Sequence, residues 1–301
     1  MKDKAIDSPK TREGPKKKES KLFISARRVL APLVRPLIER VPPFRMLALK
    51  ILSSSSIQQF RGLEYEVHPN DLGVTFELAS TGKYETLSLD TFLESLNLGD
   101  TVIDIGAHIG LYTIPISRKV GYKGKVISFE PHPDNYELLK KNTSTHNCSN
   151  VTLMQAALRN FVGESDLLAS DYNTGDHSFF GLGNRKALKV KCTTLDKVIK
   201  SGDKVSAIKI DVQGGEAEVI QGMKRVLLDN PRMTILWELS PEQMSKFGFD
   251  PLEFLKYLKS LGFNSSTIDE EAGEVIAREP EEILANCPKR SYVNVISKRW
   301  F

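Results

Sequence analysis

The chain has 301 residues, 40% of them hydrophobic and 27% charged, which is a globular composition and excludes a fibrous or low-complexity protein. Its net charge of +4 is unevenly spread: residues 1–50 carry 14 Lys/Arg against 5 Asp/Glu, so the remainder is net negative by five. A mildly acidic body lacks the basic face that nucleic-acid binding requires. Three scattered cysteines, Cys148, Cys192 and Cys287, form no CxxC pair, which argues against a disulfide framework or structural zinc and for a reducing, cytoplasmic setting.

In chain order, residues 1–53 read as a leader, polar and basic to residue 21 and then amphipathic. Leu22, Phe23, Ile24, Val29, Leu30 and Leu33 interleave there with Arg27, Arg28 and Arg35. No apolar run approaches the about 18 residues needed to span a bilayer. Residues 22–53 therefore either make a peripheral contact with an anionic membrane or pack as a helix on the body, and four prolines favour the second reading.

Residues 54–301 read as one domain. A β-rich lead-in comes first: Leu63-Glu-Tyr-Glu-Val67 and Val74-Thr-Phe-Glu-Leu78 both alternate as strands do. A helix follows over 86–97. Strands are then expected at 101–105, 125–130, 151–155, 206–211, 232–239 and 292–298, with a further one near 274–278. Helices fall near 111–119, 133–146, 194–200, 215–228 and 250–261. Alternation of this kind predicts an α/β fold with a doubly wound, mainly parallel sheet. Residues 163–168 and 187–192 instead look like paired strands around a Gly/Asn/Asp-rich loop, 171–184, placed to act as a lid.

The stretch Thr101-Val-Ile-Asp-Ile-Gly-Ala-His-Ile-Gly-Leu-Tyr112 is a buried strand, a glycine turn and a helix start. Twenty residues on, Lys125-Val-Ile-Ser-Phe-Glu130 is a second strand ending on a carboxylate. Together they form a nucleoside half-site. A dinucleotide site wants a central glycine for close approach to a pyrophosphate, and Ala107 and His108 stand between Gly106 and Gly110 instead. That spacing turns the site away from NAD and toward S-adenosylmethionine, which carries no phosphate. An NAD-type oxidoreductase and a non-catalytic protein that binds through its leader are the alternatives.

Val102-Ile-Asp-Ile-Gly-Ala-His-Ile-Gly-Leu-Tyr-Thr113 resembles the first motif of the FkbM family of methyltransferases, and Phe129-Glu-Pro-His-Pro-Asp-Asn-Tyr136 its second. Ala157, Thr194-Leu195-Asp196 and Ile208-Lys-Ile-Asp-Val-Gln-Gly-Gly-Glu216 resemble the later marks, in order, so that the likeness covers roughly residues 60–298. The resemblance implies a class I, Rossmann-like methyltransferase whose sheet ends on an antiparallel strand. It implies S-adenosylmethionine as cofactor and, usually, a sugar or metabolite hydroxyl as acceptor. The chain departs from the pattern at His108, where the family commonly has Asn, at Gln213, where Glu is frequent, and at Pro115, early in the first helix.

The candidate cofactor residues are Asp104, Gly106, Ala107, His108, Gly110, Glu130, Pro131, Gln155 and Ala156. Glu130 is assigned to the ribose hydroxyls, Gly106 and its neighbours to the methionine end, and Gln155 and Ala156 to the adenine. Asp104 shapes the turn or meets the ammonium. Asp211 leads as the catalytic base with Glu216 next, although either could instead serve structure, the first by orienting its loop and the second by capping the 215–228 helix. Glu238 and His177 are the candidate substrate contacts, with a lysine partner and open solvent as their respective alternatives. His132, just before a helix, is expected on the surface. No clustered His or carboxylate trio suggests a metal. The acceptor is expected to be a small molecule or glycan, and the oligomeric state is not readable.

Overall fold

The computed structural model describes residues 56–69, 71–170, 173–180, 185–287 and 292–300. The leader and its boundary with the domain lie outside these, as does any membrane contact through residues 22–53. Among the described residues no helix is long and apolar enough to cross a membrane.

Two short strands, β1 (Ile57–Phe60) and β2 (Leu63–Glu66), pair antiparallel as the lead-in. Two helices follow, α1 (Val74–Thr81) and α2 (Thr86–Glu94). The first of these corrects the strand expected at 74–78. Val74 and Leu78 stand at i and i+4 as well as at an even spacing, so five residues of alternation do not separate strand from helix. Asp71 decides it, since its carboxylate accepts from the Gly73 and Thr75 amides at the helix start, and Gly82 (φ 68°) stops the helix.

The body then alternates β3 (Thr101–Ile105), α3 (Thr113–Val120), β4 (Lys125–Phe129), α4 (Pro133–Thr145) and β5 (Val151–Met154). A side sheet follows, formed by β6 (Ala157–Leu158), β7 (Gly163–Ala169) and β8 (Lys186–Thr193), the last two antiparallel as expected. After α5 (Leu195–Val198) come β9 (Ala207–Ile210), α6 (Glu216–Gln221), α7 (Lys224–Asp229) and β10 (Met233–Leu239). The chain ends with α8 (Pro241–Lys246), α9 (Pro251–Ser260), β11 (Asn264–Asp269), β12 (Glu274–Arg278), α10 (Pro280–Asn286) and β13 (Val293–Arg299).

The main sheet has the order β12-β11-β13-β10-β9-β3-β4-β5. Strands β10, β9, β3, β4 and β5 are parallel, β13 is antiparallel to β10, and the β11–β12 hairpin extends that edge. This is the doubly wound, mainly parallel sheet with an antiparallel last strand that the sequence predicts. Alternate strand residues feed two cores. Ile103, Ile105, Ile208, Ile210, Ile235 and Trp237 face α6, α7 and α9, while Val102, Val126, Ala207 and Leu236 face α2 and α3. A sheet covered on both faces needs continuous apolar strands, which is why these segments were legible.

The helix expected over 215–228 is two, broken at Gly222–Met223. A Cβ on Gly222 would lie 2.0 Å from the Arg159 carbonyl oxygen, so the turn after β6 packs where a continuous helix face would be. Pro115 falls in the first turn of α3, where its missing N–H costs nothing. Asn142 on α4 ties the lead-in to the body. Its Oδ1 accepts from the Glu66 amide (2.7 Å), and its Nδ2 donates to the Glu66 and Ile109 carbonyls (both 2.9 Å). Asn142→Ala should therefore cost about 2–3 kcal/mol in urea denaturation. A loss under about 0.5 kcal/mol, the range of ordinary surface changes, would show that water replaces the amide there.

Candidate active site

Sheet order changes direction between β3 and β9, and ligands of such sheets bind beyond the strands' carboxyl ends at that point. The first residue after β3 is Gly106 (φ 76°), where a Cβ would stand 1.9 Å from the Asp211 carbonyl oxygen. Glycine lets the ends of β3 and β9 close on each other. The Gly106 and Ala107 amides both donate to the Phe129 carbonyl (3.0 and 2.9 Å), fastening the turn to β4.

His108 has φ 50°, a left-handed backbone that Asn and His tolerate better than most residues. Its amide donates to Glu130 Oε2 (2.9 Å), and the His132 amide donates to Glu130 Oε1 (2.9 Å). Glu130 is 4% exposed, and burial pushes its carboxyl up to about 7 against the pull of those two amides. The Asn135 side chain also bonds this carboxyl, and a carboxylate with about four lone-pair sites keeps acceptor capacity beyond these three. A buried carboxylate fixed at both oxygens at a cavity wall fits the paired hydroxyls of a ribose.

The cavity, about 280 Å³, is lined by Gly106, His108, Glu130, Pro131, Ala156, His177, Asp211 and Glu238 among the residues singled out from sequence. The others lie elsewhere. Asp104 is fully buried beneath the turn, accepting from Thr113 Oγ1 (2.5 Å). Ala107 is buried, and Gly110 packs beside Leu139 of α4. Gln155 is exposed, while its neighbour Ala156 faces the cavity beside Ala157 and Leu158. Glu216 is 1% exposed, and its Oε1 accepts from the Val212 and Gly214 amides (3.3 and 3.2 Å). These contacts make it a brace for its own loop and helix start.

Residues 173–180 close one side of the cavity, where the sequence places a lid. The Thr174 amide donates to Asp71 (2.8 Å), its carbonyl accepts from Asn135 (3.0 Å), and its hydroxyl lies 2.9 Å from His108 Nε2. His177 and His132 stack at 4.1 Å, 22° from parallel. His132 is 7% exposed, which corrects the surface position expected for it. Burial lowers His108 to about 4 and His177 to about 3, so both are neutral and hold the lid by hydrogen bonding and stacking rather than by charge. Arg159 lies over the Phe179 ring (4.3 Å) and pairs with Glu218, anchoring the same segment from β6.

Sequence reasoning missed Lys209, Tyr84, Glu85 and Tyr292. Lys209 sits in the wholly buried strand β9, and its Nζ donates to the Gly106 carbonyl (2.8 Å), lies 3.3 Å from Asp211 and 3.8 Å from Asp104, and covers the Tyr112 ring. Burial pulls its pKa down, but Asp211, Asp104 and Glu85 together hold it above the ordinary lysine value. The available signal was a lysine inside an apolar parallel strand, which must have partners. Glu85, Tyr84 and Tyr292 line the same cavity as Glu130. Glu85 accepts from the Tyr112 hydroxyl (2.9 Å), and burial, then the Asp211 charge, pushes its carboxyl up to about 7.

The family described as the methyltransferase FkbM domain matches residues 104–265, more than half of the chain. The hexuronic acid methyltransferase AglP of Haloferax volcanii is 28% identical over 138 residues, 45% of this chain and 54% of that protein. Methyltransferase sdnD of Sordaria araneosa is 25% identical over 178 residues, 46% of this chain and 67% of that one. The chain thus spans about half the length of the first relative and two thirds of the second. Among solved structures, M. jannaschii TYW2 in complex with AdoMet has a TM-score of 0.43 at 14% identity, covering 81% of this chain and 86% of that one. A SAM-dependent methyltransferase from Aquifex aeolicus has a TM-score of 0.40 at 15% identity, covering 72% and 93%.

Proposed function

The chain belongs to the FkbM family of S-adenosylmethionine-dependent methyltransferases, and from that premise we propose that it O-methylates a hydroxyl of a sugar, glycolipid or other small metabolite. The observation that carries this reading is the doubly anchored Glu130 in the wall of a cavity that Asp211, Glu238, Glu85 and two tyrosines also line. Carboxylates and phenols are hydrogen-bonding groups for a polyhydroxyl acceptor. The hexuronic acid named for the Haloferax relative is a sugar, which supports the same acceptor class.

When bound, S-adenosylmethionine supplies an electrophilic methyl group. Glu130 would take the ribose hydroxyls, and Ala156, Pro131 and Leu158 the apolar faces of the adenine. Gly106, with its carbonyl fixed by Lys209, would border the methionine end. Asp211 lies beside that turn, held on Oδ1 by Gln213 (3.0 Å) and on Oδ2 by Lys209. The lid excludes water, which favours a transfer governed by positioning in a dry site.

Incubating the protein with methyl-labelled cofactor and a panel of hexosides and hexuronosides should place label in a product stable to mild alkali, as an ether is and a methyl ester is not. Label found solely in amines or RNA would refute the O-methylation of a small acceptor.

A further inference from the structure

Asp211 and Glu216 were the sequence candidates for the group that removes the acceptor's proton and Glu238 a candidate substrate contact, and their surroundings separate the three. Glu216 has spent Oε1 on two loop amides and does not border the cavity. Asp211 borders it, but both its oxygens are engaged, by Gln213 and by Lys209. Glu238 borders it too and is 6% exposed, and its carboxyl makes no hydrogen bond or ion pair among the described residues. An ionisable group buried that far without a partner is costly to the fold, and the cost makes sense where a ligand supplies the partner.

The sheet places this carboxyl on the acceptor's side. In the parallel register Trp237 lies opposite Ile210, so Glu238 stands next to Asp211 at the carboxyl ends of β10 and β9. Glu130 follows β4, three strands from β10 in the order β10-β9-β3-β4. At the usual strand spacing that is about 14 Å. Gly106, after β3, lies between them, so a cofactor that runs from Glu130 past Gly106 extends its methyl group toward Glu238.

Resting on the methyltransferase reading above, we propose that Glu238 is the proton acceptor for the methylated hydroxyl. The acceptor oxygen gives an electron pair to the methyl carbon, a C–O bond forms, and the C–S bond breaks with its pair left on sulfur. The sulfonium becomes a neutral thioether. The hydroxyl proton passes to the Glu238 carboxylate and leaves to water once the ether departs. Burial first, then the charges of Asp211, Glu216 and Glu85, hold the Glu238 carboxyl above the usual carboxylate range, against the pull of Lys209. A carboxylate held above the usual range is a stronger proton acceptor than an ordinary one.

The test needs no identified acceptor. Sinefungin carries an amine-bearing carbon where the cofactor carries its methyl-bearing sulfur, so its ammonium extends toward whatever group faces the methyl. Calorimetric titration of the full chain should show sinefungin binding about tenfold or more tightly than S-adenosylhomocysteine, as an added charge-assisted hydrogen bond would give. In Glu238→Gln that preference should vanish while S-adenosylhomocysteine binds as before, and in Asp211→Asn the preference should persist. A preference absent from the wild type, retained in Glu238→Gln, or lost in Asp211→Asn instead would overturn the assignment. Loss of S-adenosylhomocysteine binding in Glu238→Gln would also overturn it, by placing Glu238 in the cofactor seat or the fold. If neither ligand binds the wild type, the methyltransferase reading falls with it. If both bind without the pattern, the Glu238 assignment falls alone.

Discussion

Glu130→Ala should abolish most of the stabilisation that S-adenosylhomocysteine gives the wild-type protein. At 100 times its dissociation constant the ligand adds about 2.7 kcal/mol to the folded state, or about 5–10 °C for a domain of this size. The proposed seating puts the ribose hydroxyls on the Glu130 carboxylate, where each charge-assisted bond is worth about 1.5–3 kcal/mol. Losing both weakens binding about 100-fold or more, which at the same ligand concentration leaves a shift of about 1 °C. A variant that kept more than half of the wild-type shift would refute the ribose assignment.

The same residue sets a pH dependence. Its folded-state carboxyl is raised to about 7, above its ordinary value of 4.5. Its contribution to stability is therefore full below that ordinary value and is lost as pH rises through about 7. Ribose hydroxyls donate best to the ionised form. Cofactor affinity should accordingly climb with pH up to about 7 and then level, and Glu130→Gln should flatten the curve.

The second large effect is on stability. Lys209→Met keeps the length of the side chain and removes the ammonium that neutralises Asp104, which is fully buried, and Asp211 beside it. Breaking one side of a buried pair typically costs about 3–5 kcal/mol, and urea denaturation at pH 7 should show that. Burial raises the Asp104 carboxyl even in the wild type, against the pull of Lys209 and Thr113. Without the lysine it rises further, so the cost of ionising it grows with pH and the variant's deficit should be smaller at pH 5 than at pH 8. Asp104→Asn in the same background should recover part of the loss, because an amide needs no counter-ion. A Lys209→Met protein within about 1 kcal/mol of the wild type would show that the lysine is not the counter-ion of the turn.

What could be read in advance was what is local. Val102-Ile103 and Ile208 announce strands because a doubly covered sheet favours apolar residues on both faces, and Gly106 announces a turn because no Cβ fits there. Glu130 was legible from its place at the end of the next strand. The failures belong to residues whose environment comes from distant segments. Val74–Leu78 coils because of Asp71, and Asp71 is in turn held by Thr174. Lys209 looked like one strand residue among four until β3 brought Gly106 and Asp104 to it. Glu85 gave no sign in sequence, since it reaches the cavity through the packing of α2 against β11 and α3. Gln155 is exposed just past the end of β5, and its neighbour Ala156 lines the cavity instead.

The bond between His108 and Thr174 has a consequence for how this enzyme can diverge from its relatives. Asparagine, the residue expected at position 108, would keep the left-handed backbone and the amide that fixes Glu130, because neither depends on the side chain. Its shorter side chain would not span the gap to the Thr174 hydroxyl that the imidazole bridges. Residue 108 and the lid are thus coupled through a single side-chain contact. A lineage that exchanged the histidine would have to redraw residues 173–180 with it, or leave the lid suspended from Asp71 and Asn135 alone at that point.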